Sequence, residues 1–238
     1  MTALAVGTAL VTGASRGIGL EVARALVDEG LRVVLLARSE DALRASARAL
    51  GPRALPIACD VGDEAAVQGA VTRALDSLGG SPEIVVNNAG VFELARVERT
   101  EPSDFRRALD VNLVAPFLLV RALLPAMREH RRGHIVTIGS IADRAAFPEN
   151  GAYAASKFGL RALHEVLLAE LRGSGVRATL VSPGPVDTAL WDEVNPDQRE
   201  GFTPRARMLS AAGVAAAVRF AITQPAGVNV DELRLSRS

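Results

Sequence analysis

The sequence predicts a single-domain α/β fold, a doubly wound parallel sheet of about seven strands with helices on both faces. Three observations predict it. Strand-like and helix-like patterns alternate along the whole chain. The strand-like runs are short and continuously apolar, as in strands buried on both faces. A glycine-rich turn, 12–19, joins the first run to the first helical pattern. The first strand is expected at 9–11 and its helix at 17–29, where apolar residues recur at helical spacing. Strand 33–37 follows, then a helix over 40–49 with Ser39 as its N-cap and Glu40 and Asp41 complementing its dipole. Strand 54–58 precedes Asp60, a candidate cap for helix 63–77. Strand 84–86 leads to a long apolar helix over 102–129, and strand 134–138 to helix 151–172. Strand 178–181, a helix over 210–223 and strand 232–235 complete the pattern. Ligands of such a sheet bind at the carboxyl ends of the strands. Gly13, Arg38, Asp60, Asn87, Ser140 and Pro183 all fall there.

Composition narrows the function classes. The chain has 238 residues, 49% of them hydrophobic, enough for one sizeable core without a linker or repeat. The net charge is zero and no basic run stands out, so neither nucleic acid nor an anionic membrane is an expected partner. No continuous apolar stretch reaches membrane-spanning length, and the amino terminus lacks a signal-peptide pattern. Cys59 is the only cysteine, expected as a buried small hydrophobe at a strand end, in agreement with a cytoplasmic, reducing compartment. His130, His134 and His164 form no metal-ligand pattern; no metal is expected, and the histidines read as surface or helix-end residues.

The turn Thr12-Gly13-Ala14-Ser15-Arg16-Gly17-Ile18-Gly19 between strand and helix has the makings of a pyrophosphate site. Gly13 permits the tight bend, and Gly17 and Gly19 let backbone approach ligand and strand. The free N–H groups and dipole of the helix start then face the anion.

Tyr153 is the only tyrosine and Lys157 the only lysine among 27 cationic residues. At i and i+4 of a helix they lie on one face. A compact ammonium with rotatable donors does what a planar guanidinium cannot. An adjacent cation lowers a phenol pKa, which suits it to proton transfer near neutrality.

These motifs, together with Asp60-Val61, Asn87-Asn88-Ala89-Gly90, Asn112, Ser140 and Pro183-Gly184-Pro185-Val186-Asp187-Thr188, resemble the classical short-chain dehydrogenase/reductase family over essentially the whole chain. The resemblance implies a Rossmann-type domain over 1–238 and a hydride-transferring oxidoreductase acting on a carbonyl or secondary alcohol. It makes Tyr153 the general acid/base, Lys157 its modulator and a ribose ligand, Ser140 the group that orients the carbonyl, and Asn112 the holder of a relay water. Gly13, Ser15, Arg16, Gly17, Ile18 and Gly19 would cradle the cofactor. Asp60 and Val61 would bind adenine, Asn87, Ala89 and Gly90 the ribose side, and Pro183, Gly184, Val186 and Thr188 the nicotinamide side. NADP(H) is favoured over NAD(H), because strand 33–37 ends in Ala37-Arg38-Ser39 with no carboxylate, and Arg38 and Arg16 suit a 2′-phosphate. Glu40 and Asp41 are the counter-argument.

Ser140, Ala142, Phe147, Tyr153 and Trp191 are the expected substrate contacts, with a lid at about 188–208. The substrate's identity is not legible. The alternatives are a catalytically silent dinucleotide-binding scaffold and, third, an epimerase or dehydratase of the extended type. Leu118, Leu119, Leu123, Leu163, Leu167 and Leu168 are expected to form a second, intersubunit face, since the resemblance implies paired helices in a homodimer or homotetramer.

Overall fold

A computed structural model describes residues 7–238. The strands are β1 (Thr8–Thr12), β2 (Arg32–Ala37), β3 (Ala54–Ala58), β4 (Ile84–Asn87), β5 (Gly133–Ile138), β6 (Val176–Pro183), β7 (Val186–Asp187), β8 (Leu209–Ser210) and β9 (Glu232–Leu235). Seven of them form one parallel sheet in the order β3-β2-β1-β4-β5-β6-β9. The short β7 and β8 pair with each other. The helices are α1 (Gly17–Asp28), α2 (Glu40–Leu50), α3 (Glu64–Leu78), α4 (Pro102–Leu109), α5 (Ala115–Glu129), α6 (Gly151–Glu170) and α7 (Ala211–Ile222).

Alternation along each strand divides the core in two. Ala9, Val11, Val33, Leu35 and Val86 face α1, α2 and α7, whose Val22, Leu26, Leu43 and Val218 pack against them. Leu10, Val34, Leu36 and Val85 face the other way, against Val67, Leu119, Leu123 and Leu167 of α3, α5 and α6. With both faces covered, strands need apolar side chains at every position, which is why they read as unbroken runs. Strand order reverses between β1 and β4, and that switch point is where an open α/β sheet leaves its crevice.

Three expectations need correction. The helix over 102–129 is not one α-helix: a π turn, Asp110–Val114, separates α4 from α5, with the Ala115 N–H bonded to the Asp110 carbonyl. The whole segment is long and apolar enough to cross a membrane. It is instead a core helix, its Val111, Ala115, Leu119, Leu123 and Met127 packed on the sheet. Those contacts also dispose of Leu119, Leu123 and Leu167 as intersubunit residues, while Leu118, Leu163 and Leu168 are only partly exposed. The large apolar side chains that do reach solvent on these helices are Phe105, Val114, Phe117, Phe158 and Val166. His134 and His164 are not at the surface but sealed inside, hydrogen-bonded to Thr179 at 2.8 Å and Thr137 at 3.0 Å. Burial holds both imidazoles neutral, with pKa values pushed down to about 3 and about 4. Cys59 is buried as expected, and burial raises its thiol pKa to about 11.

Candidate active site

α1 begins at Gly17, after Arg16 in extended conformation, with no side-chain cap and no acid in its first turn. By contrast α2, α3 and α7 are capped by Ser39, Asp63 and Ser210. The first N–H groups of α1 are therefore open to an anion. Gly13 and Gly17 have positive φ of 66° and 56°, and a Cβ on Gly19 would stand 2.3 Å from the Gly13 carbonyl. No side chain fits these positions without moving the turn. Ser15 accepts from the Ser46 hydroxyl through its carbonyl at 3.1 Å, and Ile18 packs on the core, which anchors the turn from below.

The loop after β4 is tied to that turn. Thr12 Oγ1 accepts from the N–H groups of Asn88 and Ala89, both at 2.9 Å, and Asn88 Nδ2 donates to the Thr12 carbonyl at 2.9 Å. Asn87 is buried, and neither atom of its side-chain amide has a protein partner. An orphaned amide at a strand's carboxyl end is a ready contact for a polar ligand. Gly90 follows, against Asn112 Oδ1. After β3, Asp60 is not a helix cap: its Oδ1 accepts from the Gly62 N–H at 3.0 Å, and Asp63 caps α3 instead. Val61 is buried in the core. After β2, Arg38 and Arg16 are exposed and, among the described residues, pair with no acid. Glu40 is committed to Arg44 through bonds of 2.9 and 2.6 Å.

Asn112, Ser140, Tyr153 and Lys157 meet at one place. The π turn buries Asn112 completely, and its amide clasps Val91, accepting from the N–H at 2.8 Å and donating to the carbonyl at 3.0 Å. Its Nδ2 also donates to Ser156 Oγ at 2.9 Å, and Ser156 donates to the Tyr153 carbonyl at 2.7 Å. Both hydrogens of this amide are spent on protein partners, which fixes the side chain in place. Ser140 caps the 3₁₀ turn Ile141–Asp143; its Oγ accepts from the Ala142 N–H at 3.1 Å, which leaves the hydroxyl proton free to be donated. Lys157 is buried, donates to the Ile138 carbonyl at 2.9 Å, and lies 5.7 Å from the centre of the Tyr153 ring.

The expected lowering of the phenol pKa by Lys157 is not what the site does. Burial pushes Tyr153 up, the neighbouring Ser140 hydroxyl pulls down, and the Asp143 carboxylate pushes up again. The ammonium lies over the ring with a donor directed to Ile138, and burial brings its own pKa down to about 8.

A family model described as short chain dehydrogenase matches residues 7–199. An uncharacterised oxidoreductase of Staphylococcus aureus (strain MW2) is 33% identical over 98% of both chains. A metagenomic short-chain oxidoreductase, solved in complex with NADP, is 34% identical, with a TM-score of 0.85 over 100% of this chain and 99% of its own. An alcohol dehydrogenase from the archaeon Thermococcus sibiricus, complexed with 5-hydroxy-NADP, is 30% identical, with a TM-score of 0.85 over 97% and 96%. The chain belongs to the short-chain dehydrogenase family. It is an enzyme of that class.

In this dehydrogenase the segment after β6 runs from buried Pro183 through Gly184, whose N–H bonds to the Leu235 carbonyl at 2.8 Å, to Val186 in the core. Thr188 lies against the glycine turn, its Cγ2 3.2 Å from where a Gly17 Cβ would be. The β7–β8 pair, Val186↔Leu209 and Asp187↔Ser210, brackets residues 188–208. Arg205 staples that segment internally to Asp187, Asp192 and the Thr188 carbonyl. Trp191 meets Phe92 edge-on at 5.0 Å, and Phe92 meets Tyr153 at 4.9 Å, so an aromatic ladder leads from the segment to the phenol. Phe147 is about half exposed, but Ala142 is buried beneath the Ser140 turn.

Sequence reasoning missed Ser156, Asp143 and Glu149. Glu149, with φ of 64°, bonds the Ala95 N–H through its carbonyl at 2.9 Å and Arg199 through its side chain at 2.7 Å. Ser140-Ile141-Ala142-Asp143 carries the spacing of a capping box, a signal that would have found Asp143.

Proposed function

We propose that this dehydrogenase is an NADPH-dependent carbonyl reductase, acting in reverse on the matching secondary alcohol, with Tyr153 as its general acid/base. The observation that carries the reading is the meeting of Ser140, Tyr153 and Lys157 at the carboxyl edge of the sheet that also carries the glycine turn. The open N–H groups of α1, the glycine cradle and the orphaned Asn87 amide fit a dinucleotide. Gly13, Ser15, Arg16, Gly17, Ile18 and Gly19 hold its pyrophosphate. Asp60 and Val61 take adenine, Asn87, Ala89 and Gly90 its ribose, and Pro183, Gly184, Val186 and Thr188 the nicotinamide end.

Bound nicotinamide supplies the hydride. Ser140 donates its free proton to the carbonyl oxygen and orients it, and Tyr153 delivers a proton as charge develops there. The preference for the phenol form at neutral pH suits the reducing direction. Lys157 carries the positive charge of the site, placed to bond the ribose hydroxyls. Asn112 works through position: by clasping Val91 and Ser156 it fixes the walls around Tyr153.

Two unpaired guanidinium groups, Arg16 and Arg38, support a 2′-phosphate, while Glu40 is turned to Arg44. The complexes of the two solved relatives with NADP and 5-hydroxy-NADP point the same way. Residues 188–208 act as the lid, and Phe92, Phe147 and Trp191 favour substrates with an apolar group beside the carbonyl. Exposed Phe117, Phe158 and Val166 suit a second copy of the chain as partner. A single, buried Cys59 is in keeping with a cytoplasmic setting.

The test is turnover of NADPH and NADH against a panel of ketones and aldehydes. Reduction of at least one class with NADPH preferred is expected; binding of dinucleotide without any turnover would overturn the reading.

A further inference from the structure

Among the described residues, Asp143 is the only acidic side chain that the fold buries completely. It ends the turn that Ser140 begins. Its Oδ2 accepts from the Ser140 N–H at 3.4 Å and from the Ser182 hydroxyl of β6. Its Oδ1 accepts from Arg144 Nε at 2.7 Å, and Arg144 reaches Glu232 on β9. Gly139 makes room, since a Cβ there would stand 2.7 Å from Oδ2. On the same bend, Lys157 donates to the Ile138 carbonyl. A buried anion and a buried ammonium thus bracket the three residues that end in Ser140.

Capping a turn does not require this. Asn or Ser accepts from a turn N–H equally well and carries no charge to desolvate. A sealed carboxylate persists only where donors and a cation compensate it, and here the compensation spans three elements. We propose that Asp143 is a positioning residue that also acts through its charge. It ties the Ser140 bend to β6 and β9, and from within that bend its negative charge opposes ionisation of Tyr153. The proposal rests on the reading of Tyr153 as general acid. The charged and titratable groups around the carboxylate are Arg144 from its own turn, Glu232 from β9, and Tyr153 and Lys157 from α6; Ser182 from β6 is neutral. The direction agrees, because Asp143 pushes the pKa of both Tyr153 and Lys157 upward.

The single tyrosine makes a direct test possible, since tyrosinate absorbance reports Tyr153 alone and needs no turnover. Asp143→Asn keeps an acceptor for Ser140 and Ser182 while removing the charge. Its tyrosinate midpoint is expected to fall by about one pH unit. The matching limb of the kcat/KM profile should move the same way, with the dinucleotide dissociation constant unchanged. Glu232→Gln removes the outer charge of the relay without touching the bend, and should shift the midpoint in the same direction by less. A lower melting temperature with an unmoved midpoint would reduce Asp143 to a structural cap and overturn the proposal. If Asp143→Asn does not fold, Glu232→Gln decides: an unmoved or raised midpoint overturns it. A lowered midpoint in a protein that reduces no carbonyl would uphold the charge role and sink the functional reading instead.

Discussion

Burial holds Tyr153 as the neutral phenol, and the Ser140 hydroxyl is what opposes it. The sequence shows that Tyr153 and Lys157 are singletons at helical spacing, but not which way a phenol titrates once enclosed. That depends first on burial and then on Ser140 and Asp143, and Asp143 is in turn held by Arg144 of its own turn, Ser182 of β6 and, through Arg144, Glu232 of β9. Cofactor choice is legible at this scale, because the residues after a buried strand must lie at its carboxyl end. Among the described residues Arg38 has no acidic partner there, so Arg38→Leu should weaken NADPH binding about tenfold to a hundredfold and leave NADH nearly unchanged. Fluorescence titration of both cofactors checks this, and the gap should narrow with added salt.

Among the elements, the seven strands of the main sheet were readable to within two residues at either end, since a sheet covered on both faces demands unbroken apolar runs, but the short β7–β8 pair was not. The π turn was not. A shift from i−4 to i−5 bonding has no composition of its own, and the only trace was a polar Asn112 inside an apolar stretch. The three bonds of that residue within the core make it a stability element. Asn112→Ala strands the Val91 N–H and carbonyl and should cost about 2–4 kcal/mol, read as a lower urea midpoint. The Arg205 staple of residues 188–208 was not legible, because Asp187 and Asp192 look like ordinary surface acids in the sequence.

For the whole molecule, topology followed from alternation, whereas the fate of individual polar residues within it did not. The buried His134 and His164 show this, and their burial should weaken the fold toward acid pH. Their folded pKa values, about 3 and about 4, lie below the ordinary value near 6.5. Both contribute fully above pH ~6.5; as pH falls from there toward 4, only the unfolded chain takes up the protons, and stability is lost. Each costs about 1.4 kcal/mol per pH unit in that window, so urea midpoints should drop steeply between pH 6 and 4, and less steeply in His164→Leu. The exposed face of α6, with Ala155, Phe158, Ala162, Val166 and Ala169, should keep the protein a homo-oligomer; Phe158→Glu with Val166→Glu should give a monomer by light scattering. The most direct measurement of the central claim is transfer of deuterium from the C4 position of labelled NADPH to an aryl ketone, in the parent and in Tyr153→Phe. Label on the carbinol carbon of the parent's product, with at least a hundredfold slower transfer in a variant that still binds NADPH, is the expected result. A parent that transfers no label, or a variant that transfers it at the parent's rate, would contradict the account.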